Sequence, residues 1–396
     1  MINIIEKKKC CGCNACKQCC PNSSISVIED NEGFLYPIVN INSCTNCGLC
    51  EKVCPIIVKG VERIPIHVYA SKNRNEIIRI QSSSGGIFSS LAEKVLEEGG
   101  VVFGAMFNKK WEVFHDYIET KEKLHLLRGS KYVQSNIGDS YSKTMDFLKI
   151  GKIVLFSGTP CQILGLKLFL KKEFVNLLTI DILCHGVPSP MVWRRYLLDK
   201  TKNINEIENI NFRNKIQSGW KNYCFSITMK QSKKSIIEPH LKNDWMNGFL
   251  HHVYIRPSCS SCPAKSFSSK SDISIGDYWG IQNILPKFDD DKGVSLVFVL
   301  SEKGNEFFSK IKAETIETNY QDALIGNPII IKSINLHPKR NNFYKSLQKS
   351  PNTVSVIRKY SKLPLRDRYR SSLIKVLVKM KIINFILKIA NKKRIR

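Results

Sequence analysis

The chain has 396 residues, of which 43% are hydrophobic and 24% charged, which is typical of a globular protein of two or three domains. The formal net charge of +27 suggests nucleic-acid binding, but residues 351–396 alone carry 14 Lys and Arg against one acidic residue, about half of the excess. Because no helix-turn-helix, zinc-finger or RNA-binding motif accompanies this charge, we expect no nucleic-acid partner.

Two short runs of cysteines dominate the first 60 residues. Residues 44–55 read CTNCGLCEKVCP, with the spacing C-x2-C-x2-C-x3-C-P, and the same spacing fits residues 10–21, CCGCNACKQCCP. This is the spacing of bacterial ferredoxins, whose cysteines hold 4Fe–4S clusters. It selects eight candidate ligands, Cys10, Cys13, Cys16, Cys20, Cys44, Cys47, Cys50 and Cys54. We therefore predict a two-cluster ferredoxin domain over residues 1–60.

The ligands of the two clusters are expected to cross between the runs. In two-cluster ferredoxins the fourth cysteine of each run binds the cluster of the other run. Cys54 is therefore assigned to the cluster of Cys10, Cys13 and Cys16, and Cys20 to the cluster of Cys44, Cys47 and Cys50. Cys11 and Cys19 fall out of register and are predicted not to bind iron. The alternatives are zinc, which prefers paired C-x2-C motifs, and disulfides. Disulfides are disfavoured because MINIIEKKKC lacks an apolar signal region, and we expect a cytoplasmic protein.

Strands and helices can be predicted along the next part of the chain. Residues 25–39, ISVIEDNEGFLYPIV, alternate apolar side chains around a polar turn and predict a hairpin that covers the clusters. HVYAS at 67–71 and VVFGAMF at 101–107 predict strands. Apolar residues at helical spacing over 87–96 predict a helix between them. Farther on, CFSITM, DISIGDYW and VSLVFVL predict more strands, so we expect a mixed sheet with helices.

Residues 152–183 predict a strand–helix–strand unit, KIVLF, CQILGLKLFL and LLTIDIL. Such a unit is parallel and right-handed, so both strands end at one edge of the sheet, where open α/β sheets bind ligands. Cys161 follows the first strand and Cys184 the second, and we expect them to be close in space. RPSCSSCPAK adds Cys259 and Cys262. Four thiolates suffice for a third 4Fe–4S cluster or for zinc; buried free cysteines are the alternative.

Several other residues could contact a small molecule. Ser84 lies in SSSGG before the predicted helix, where N–H groups and the helix dipole favour an anion such as a flavin pyrophosphate; a plain N-cap is the alternative. Lys131 could bind a phosphate and Tyr132 could stack on a ring, with an ordinary loop as the alternative. His185 could donate a proton, and Asp277 could face a ring system. For these two residues the alternative is ordinary packing.

Five stretches in order resemble the coenzyme F-420 (deazaflavin) hydrogenase/dehydrogenase beta-subunit family. They are SSSGGIFSSLA, GSKYVQS, FSGTPCQILGL, DILCHGVPSP and RPSCSSCPAKSFSSKSDISIGDYWG, within residues 66–282. The resemblance implies FAD beside a 4Fe–4S cluster held by Cys161, Cys184, Cys259 and Cys262. It also implies a set of flavin-site residues, Ser84, Gly85, Gly86, Gly158 and Thr159. Many members resemble proteins of surface polysaccharide synthesis, so the resemblance leaves the acceptor open, the deazaflavin included.

The sequence as a whole predicts a mixed α+β and α/β fold in four parts. These are the ferredoxin domain (1–60), an α/β domain (65–148), a flavin and iron–sulfur domain (149–335) and a basic helical tail (336–396). We expect an oxidoreductase that moves electrons between a donor protein such as a ferredoxin, the clusters, FAD and an organic two-electron acceptor. The alternatives are an electron-transfer subunit without its own substrate and a redox or metal sensor.

The tail from Leu373, LIKVLVKMKIINFILKIANKKRIR, predicts a basic helix with two apolar groups of side chains. Its lysines argue against a membrane-spanning helix, because each costs several kcal/mol at the bilayer centre. Contact with an anionic membrane surface at the inner face and docking on protein are the two alternatives.

Overall fold

The computed structural model describes residues 1–230 and 235–361. Within them the thirteen strands, numbered β1 to β13 along the chain, are Ile25–Glu29, Leu35–Val39, His67–Asn73, Val101–Phe107, Val113–Ile118, Val154–Gly158, Leu177–Ile182, Ile207–Asn214, Cys224–Met229, Ser235–Pro239, Ile273–Asp277, Ser295–Val299 and Ala313–Glu317. The helix predicted from Leu373 lies outside the described residues, as does the tail beyond residue 361.

The fourteen α-helices of the same residues, α1 to α14, are Ala15–Gln18, Leu49–Lys52, Glu76–Gln81, Ile87–Glu97, Leu124–Leu127, Ser140–Lys149, Pro160–Leu170, Pro190–Thr201, Asp244–Leu250, Ile281–Ile284, Glu302–Ser309, Tyr320–Gly326, Arg340–Lys349 and Thr353–Ser361. Short 3-10 helices lie at Lys7–Lys9, Ile41–Ser43, Lys121–Lys123, Ile204–Glu206, Pro257–Ser261 and Pro328–Ile330. None of the described helices has both the length and the apolar character needed to cross a bilayer.

An eight-stranded mixed sheet forms the centre of the molecule, in the order β13-β3-β12-β11-β7-β6-β4-β5. The pairs β11/β7, β7/β6 and β6/β4 are parallel, and the other four pairs are antiparallel. The predicted mixed sheet with helices is thereby confirmed. Val101 of β4 pairs with Val154 of β6, so strands from both sides of the expected boundary at residues 148/149 share this sheet.

Helices cover both faces of the sheet because its strands are apolar on both sides. Along β6, Val154 and Phe156 pack with residues of α6 and α7, whereas Leu155 packs with residues of α4. This alternation is the period of two that a strand imposes on its side chains. The strand–helix–strand prediction is confirmed, since β6 and β7 are parallel and joined through α7. Both strands therefore end at the same sheet edge, after Gly158 and Ile182.

The N-terminal segment folds around the hairpin β1–β2, as predicted. Ile25 pairs with Val39 across the two strands, and the Asp30 carboxylate accepts two backbone N–H groups of the turn, at 3.0 and 2.9 Å. Ile25 and Val39 pack in one apolar cluster with Cys16, Cys50 and Cys54. The hairpin therefore shields cysteine side chains of both runs from water.

A separate three-stranded antiparallel sheet, β10-β9-β8, stands beside the main sheet. CFSITM forms β9 as predicted, but β9 belongs to this second sheet. Its apolar face packs with α8 and α9 around Trp193 and Trp245. Arg213 of β8 reaches Asp277 at the end of β11, with 3.0 Å between guanidinium and carboxylate. Because β11 runs parallel to β7, the second sheet closes over the edge at which β6 and β7 end.

Candidate functional site

The first thiol group is buried and comprises Cys10, Cys13, Cys16 and Cys54. Cys54, from the second run, lies close enough to each of the other three for their thiolate charges to interact. Burial is the largest cause that raises the pKa of Cys16 and Cys54, and the neighbouring thiolates raise it further. The second run therefore contributes its fourth cysteine to the cysteines of the first run.

The second thiol group lines one cavity near the surface and comprises Cys20, Cys44, Cys47 and Cys50. The cavity holds about 360 Å³ of space, part of it open to solvent. Cys47 is exposed, whereas Cys50 is buried. The backbone N–H of Ile2 donates to Cys50 Sγ at 3.3 Å, and that of Asn46 donates to Cys44 Sγ at 3.4 Å. The cysteine of the first run that reaches this cavity is Cys20, so the two runs exchange their fourth cysteines in space.

The third thiol group lies at the edge where the parallel strands end and comprises Cys161, Cys184, Cys259 and Cys262. Every pair of these four is close enough for the thiolate charges to interact. Burial raises the pKa of Cys184 to about 12 and that of Cys262 to about 11, and the neighbouring thiolates contribute to both shifts. The topology of the sheet thus brings together cysteines that are up to about 100 residues apart in sequence.

Two cysteines of the first run lie beside these groups. Cys11 is buried, and its thiol neighbours the thiols of Cys13 and Cys161. The neighbouring Cys13 is the largest cause that raises the pKa of Cys11. Cys19 is half-buried and donates to the carbonyl of Cys16 at 3.4 Å. Cys11 therefore connects the first and third thiol groups, although its place in the run is out of register.

The donors around the third thiol group suit thiolates. The backbone N–H of Gly186 lies 3.3 Å from Cys184 Sγ, and backbone N–H groups beside Cys259 and Cys262 oppose the rise in pKa that burial causes at these two cysteines. Such hydrogen bonds favour the thiolate, which is the form that binds metals. Among the described residues, no three His, Cys, Asp or Glu side chains converge closely enough to hold a single metal ion. The fit to a 4Fe–4S cluster rests on the four neighbouring thiols and their N–H donors.

Helix α7 approaches the first thiol group through Gly165. A Cβ at this position would lie 3.0 Å from Cys13 Sγ and 3.1 Å from Tyr141 Oη. We expect Gly165→Ala to lose iron faster to a chelator, because overpacking beside a ligand costs about 1–3 kcal/mol. Gly304→Ala is the control, since a Cβ there would likewise crowd its neighbours, the carbonyl of Asp272 and Ile273, but would meet no cysteine. Equal rates of iron release in the two variants would contradict the expectation.

Three of the predicted residues surround Arg213, and with it they form what we call the Arg213 site. Asp277 is ion-paired with Arg213 at 3.0 Å. Burial raises the pKa of Tyr132, and the nearby Arg213 charge opposes that rise. His185 lies within range of both Arg213 and Asp277. The Nε of Arg213 is buried without a hydrogen-bond partner among the described residues. The site therefore offers a guanidinium whose charge is balanced by Asp277 and which keeps one unused N–H for an electron-rich ligand.

His185 lies between the Arg213 site and the third thiol group. It follows Cys184 directly in sequence, and it is within range of the Arg213 and Asp277 charges. Part of the residue is exposed to solvent, and desolvation by the protein atoms around it is the largest cause that lowers its pKa to about 4.

The residues predicted to bind a flavin phosphate make other contacts. The Ser84 hydroxyl and the Gly85 N–H donate to residues 294 and 295, at 2.9 and 3.0 Å respectively. Gly86 begins α4 with a φ of +85°. The Lys131 ammonium donates to the carbonyls of residues 127–129, and burial lowers its pKa to about 7. A phosphate at this loop would have to displace bonds that anchor the loop to the main sheet.

The turn between β6 and α7 positions the third thiol group. Thr159 caps α7 in a capping box with Gln162, and its hydroxyl lies 3.3 Å from Cys161 Sγ. A Cβ on Gly158 would lie 3.2 Å from the Gln162 side chain. Gly158 and Thr159, both predicted as flavin-site residues, are therefore engaged in holding Cys161 at the start of the helix.

Arg213 and the neighbouring Lys215 do not stand out in the sequence. The available signal is a charged residue within the apolar pattern of NINFRNKI, since a buried charge requires partners. Lys215 donates to the carbonyls of Arg79, Ser84 and Lys292 at 2.7 to 2.8 Å, and burial lowers its pKa to about 7. Lys215 thereby ties the end of β8 to the SSSGG loop.

Profiles of one protein family match two parts of the chain. The N-terminal profile of the coenzyme F-420 hydrogenase/dehydrogenase beta subunit matches residues 68–140, and the C-terminal profile matches residues 151–323. Together they cover more than half of the 396 residues. The chain belongs to this family. The resemblance seen in the five sequence stretches is thereby confirmed.

The individual relatives of this chain include redox proteins. One of the subunits of the F(420)H(2) dehydrogenase of Methanosarcina mazei is 24% identical over 368 residues, covering 86% of this chain and 92% of the relative. An uncharacterised ferredoxin of Methanocaldococcus jannaschii is 32% identical over 62 residues, covering 15% of this chain and 79% of the ferredoxin. A chain of the F-420-reducing NiFe hydrogenase complex from Methanosarcina barkeri aligns with a TM-score of 0.45 and 18% identity, covering 75% of this chain and 91% of that chain.

The residues matched by the family profiles and the two cysteine runs lie in different parts of the chain. The matched residues 68–140 and 151–323 contain the third thiol group and the Arg213 site. The first and second thiol groups lie before residue 68. The chain therefore joins a cysteine-rich N-terminal segment to the family fold.

Proposed function

We propose that the chain is an iron–sulfur flavoprotein that transfers electrons between a protein electron carrier and an organic two-electron acceptor. The Methanosarcina mazei relative, which belongs to an F(420)H(2) dehydrogenase, makes the deazaflavin coenzyme the first organic substrate to test. The observation that carries the proposal is a row of neighbouring thiols that extends from the protein surface to the third thiol group, beside His185 and the Arg213 site.

The row begins at the exposed thiol of Cys47 in the second group. Cys50 of that group lies within range of Cys54 of the first group. Cys11 then reaches both Cys13 of the first group and Cys161 of the third. Each group thus has a cysteine that neighbours a cysteine of the next group. This supports single-electron transfer along the row, because electron tunnelling weakens steeply with distance.

The ligand count supports three 4Fe–4S clusters, one held by each thiol group. When bound, the clusters would supply one-electron transfer, and a flavin would supply the exchange between single electrons and electron pairs. The flavin would be held between the third thiol group and the Arg213 site, beside His185. The chain holds its thiols away from water there, since most of the ligands are buried or half-buried.

The Arg213 site supports binding of an electron-rich, planar ligand. A buried guanidinium with an unused N–H favours a phosphate or a ring carbonyl, because hydrogen bonds from charged donors are stronger than neutral ones. Tyr132 stacks on Phe249 with 4.7 Å between ring centres and offers a flat apolar wall. With a pKa of about 4, the His185 ring is neutral near pH 7 and would orient a ligand through a hydrogen bond.

The test is an anaerobic preparation of the full chain, analysed for iron, acid-labile sulfide and flavin. The protein is then reduced with dithionite, freed from excess reductant and mixed with the oxidised deazaflavin coenzyme while absorbance is followed. We expect flavin and iron in the same protein, and reoxidation of both as the coenzyme is reduced. Protein that carries iron but no flavin after reconstitution with FAD would contradict the flavoprotein assignment.

Arg213→Gln is expected to keep its iron and to lose most of its flavin. A hydrogen bond from a charged donor contributes about 1.5–3 kcal/mol, which corresponds to roughly a tenfold or larger loss of affinity. The measurement is the ratio of flavin to iron, with Arg213→Lys as the charge-conserving control. Gly86→Val is a poorer variant, because the φ of +85° and a Cβ contact of 3.0 Å with Asn73 would strain the loop whatever it binds. Equal flavin occupancy in Arg213→Gln and wild type would remove the Arg213 site from the proposal.

A second candidate function is that of an electron-transfer subunit without a substrate of its own. It is favoured by the Methanosarcina mazei relative, whose name makes it one of the subunits of a dehydrogenase. The isolated chain would then take up electrons into its clusters but reduce no small acceptor. The same absorbance experiment separates the two candidates, since reduction of the deazaflavin by the isolated chain requires a substrate site within it.

A cytoplasmic location and a place in surface polysaccharide synthesis are further proposals. The first rests on the reducing environment that iron-binding thiolates need, and the second rests on the family resemblance. Contact of the basic tail with a membrane surface is a third, and the tail lies outside the described residues.

A further inference from the structure

Arg256 is a completely buried cation that holds the loop of Cys10. Its side chain is 0% exposed. Its Nε donates to the carbonyl of Cys10 at 2.8 Å, and one Nη donates to the carbonyl of Leu35 at 2.9 Å. The same Nη lies 3.5 Å from Cys10 Sγ, and the other Nη donates to Gln134 Oε1 at 2.9 Å. The guanidinium is thus fixed against a sulfur of the first thiol group.

The charge of Arg256 has no carboxylate partner among the described residues. Its hydrogen-bond acceptors are carbonyls, an amide oxygen and a thiol, and its walls include the rings of Tyr36 and Phe34, at 4.4 and 5.3 Å. Burying an unpaired cation costs several kcal/mol. The anion beside this cation, once Cys10 binds iron as a thiolate, is the Cys10 sulfur at 3.5 Å.

Arg256 also belongs to the loop of the third thiol group. Its backbone carbonyl accepts the N–H of Cys259 at 3.1 Å. Its backbone N–H donates to Val187, which follows Cys184 by three residues, at 3.0 Å. One residue thus joins the first and third thiol groups, with its charge turned toward the first.

We propose that Arg256 sets the reduction potential of the cluster held by the first thiol group. The inference rests on the proposed function, because it requires a 4Fe–4S cluster at Cys10, Cys13, Cys16 and Cys54. Reduction adds one electron, and hence one negative charge, to that cluster. A buried positive charge and an N–H directed at a ligand sulfur stabilise the more negative state and raise the potential. Electrons entering at the surface group would then be drawn inward.

The test is a redox titration of the anaerobic holoprotein, followed by electron paramagnetic resonance with dithionite as the reductant. In Arg256→Gln we expect the first cluster to be reduced about tenfold less at a fixed potential, a shift of about 59 mV to more negative values. Arg256→Lys keeps the charge and is expected to shift less. The iron content of each variant is measured first, so that a lost cluster is not read as a shifted potential.

A second variant leaves Arg256 in place. Gln134→Glu keeps the shape of the side chain that contacts Arg256 at 2.9 Å but adds a carboxylate, which compensates the positive charge. We expect the same direction of shift as in Arg256→Gln. Arg63→Gln is the control, because Arg63 likewise donates to three carbonyls, of Phe267, Leu300 and Ser271, and contacts no cysteine.

The outcomes separate this inference from the proposed function. A wild-type protein without a reducible cluster at the first thiol group overturns both. Intact clusters with unchanged potentials in Arg256→Gln and Gln134→Glu overturn the inference and leave the proposed function standing. A shift in Arg256→Gln with none in Gln134→Glu assigns the effect to a lost hydrogen bond and also overturns the role of the charge.

Discussion

Cys161→Ser protein is expected to contain about eight iron atoms per chain, against about twelve in the wild type, because each 4Fe–4S cluster holds four. Cys161 supplies one of four ligands to the third thiol group, and a serine hydroxyl is a poor substitute for a thiolate. The first and second thiol groups are formed by residues 10–54 and should keep their iron. The measurement is iron and acid-labile sulfide per chain in anaerobically purified protein.

Cys224→Ser is the matched control for this experiment. Cys224 is a buried cysteine outside the three thiol groups, and its sulfur lies 3.3 Å from the Ser218 hydroxyl. The iron content of Cys224→Ser protein should equal that of the wild type. Wild-type protein with about eight irons and bound zinc would assign the third group to a structural zinc site. Unchanged metal content in Cys161→Ser would show that the third group holds no metal.

Paired substitutions test the exchange of the fourth cysteines between the runs. The double variant Cys16→Ser/Cys54→Ser should lose about four irons, which is no more than either single variant loses. Both substitutions remove ligands from the same cluster. The double variant Cys47→Ser/Cys54→Ser should lose about eight irons, because those two cysteines bind different clusters. The reverse pattern would mean that each run keeps its own fourth cysteine. The physical basis is the proximity of Cys54 to Cys10, Cys13 and Cys16.

The parts of the site that depend on local spacing or on handedness could be predicted from the sequence. The repeated C-x2-C-x2-C-x3-C-P spacing selects the eight cysteines of residues 10–54 that form the first two groups in space. The pairing of β6 with β7 follows from the fixed hand of a strand–helix–strand unit. That rule is also what brings Cys161 toward Cys184, although 23 residues separate them in sequence.

The parts that depend on long-range packing could not be predicted. Arg256 contacts Cys10 across 246 residues of chain, and no local pattern reports such a contact. The placement of β9 in a second sheet likewise depends on which strands pair, and the apolar alternation of CFSITM is the same in either sheet. For Ser84 and Gly85 the local sequence is ambiguous. A Ser- and Gly-rich turn is equally suited to binding a phosphate and to anchoring a helix to strands.

Anaerobic reductive titration of the full chain measures whether iron–sulfur clusters and flavin form one electron-transfer system. The proposed function predicts an uptake of about five electrons per chain, one for each of three clusters and two for the flavin. The iron–sulfur and flavin absorbance should both bleach, and both should return when the deazaflavin coenzyme is added. Uptake of three or fewer electrons by protein saturated with FAD, with the flavin absorbance unchanged, would contradict the proposal.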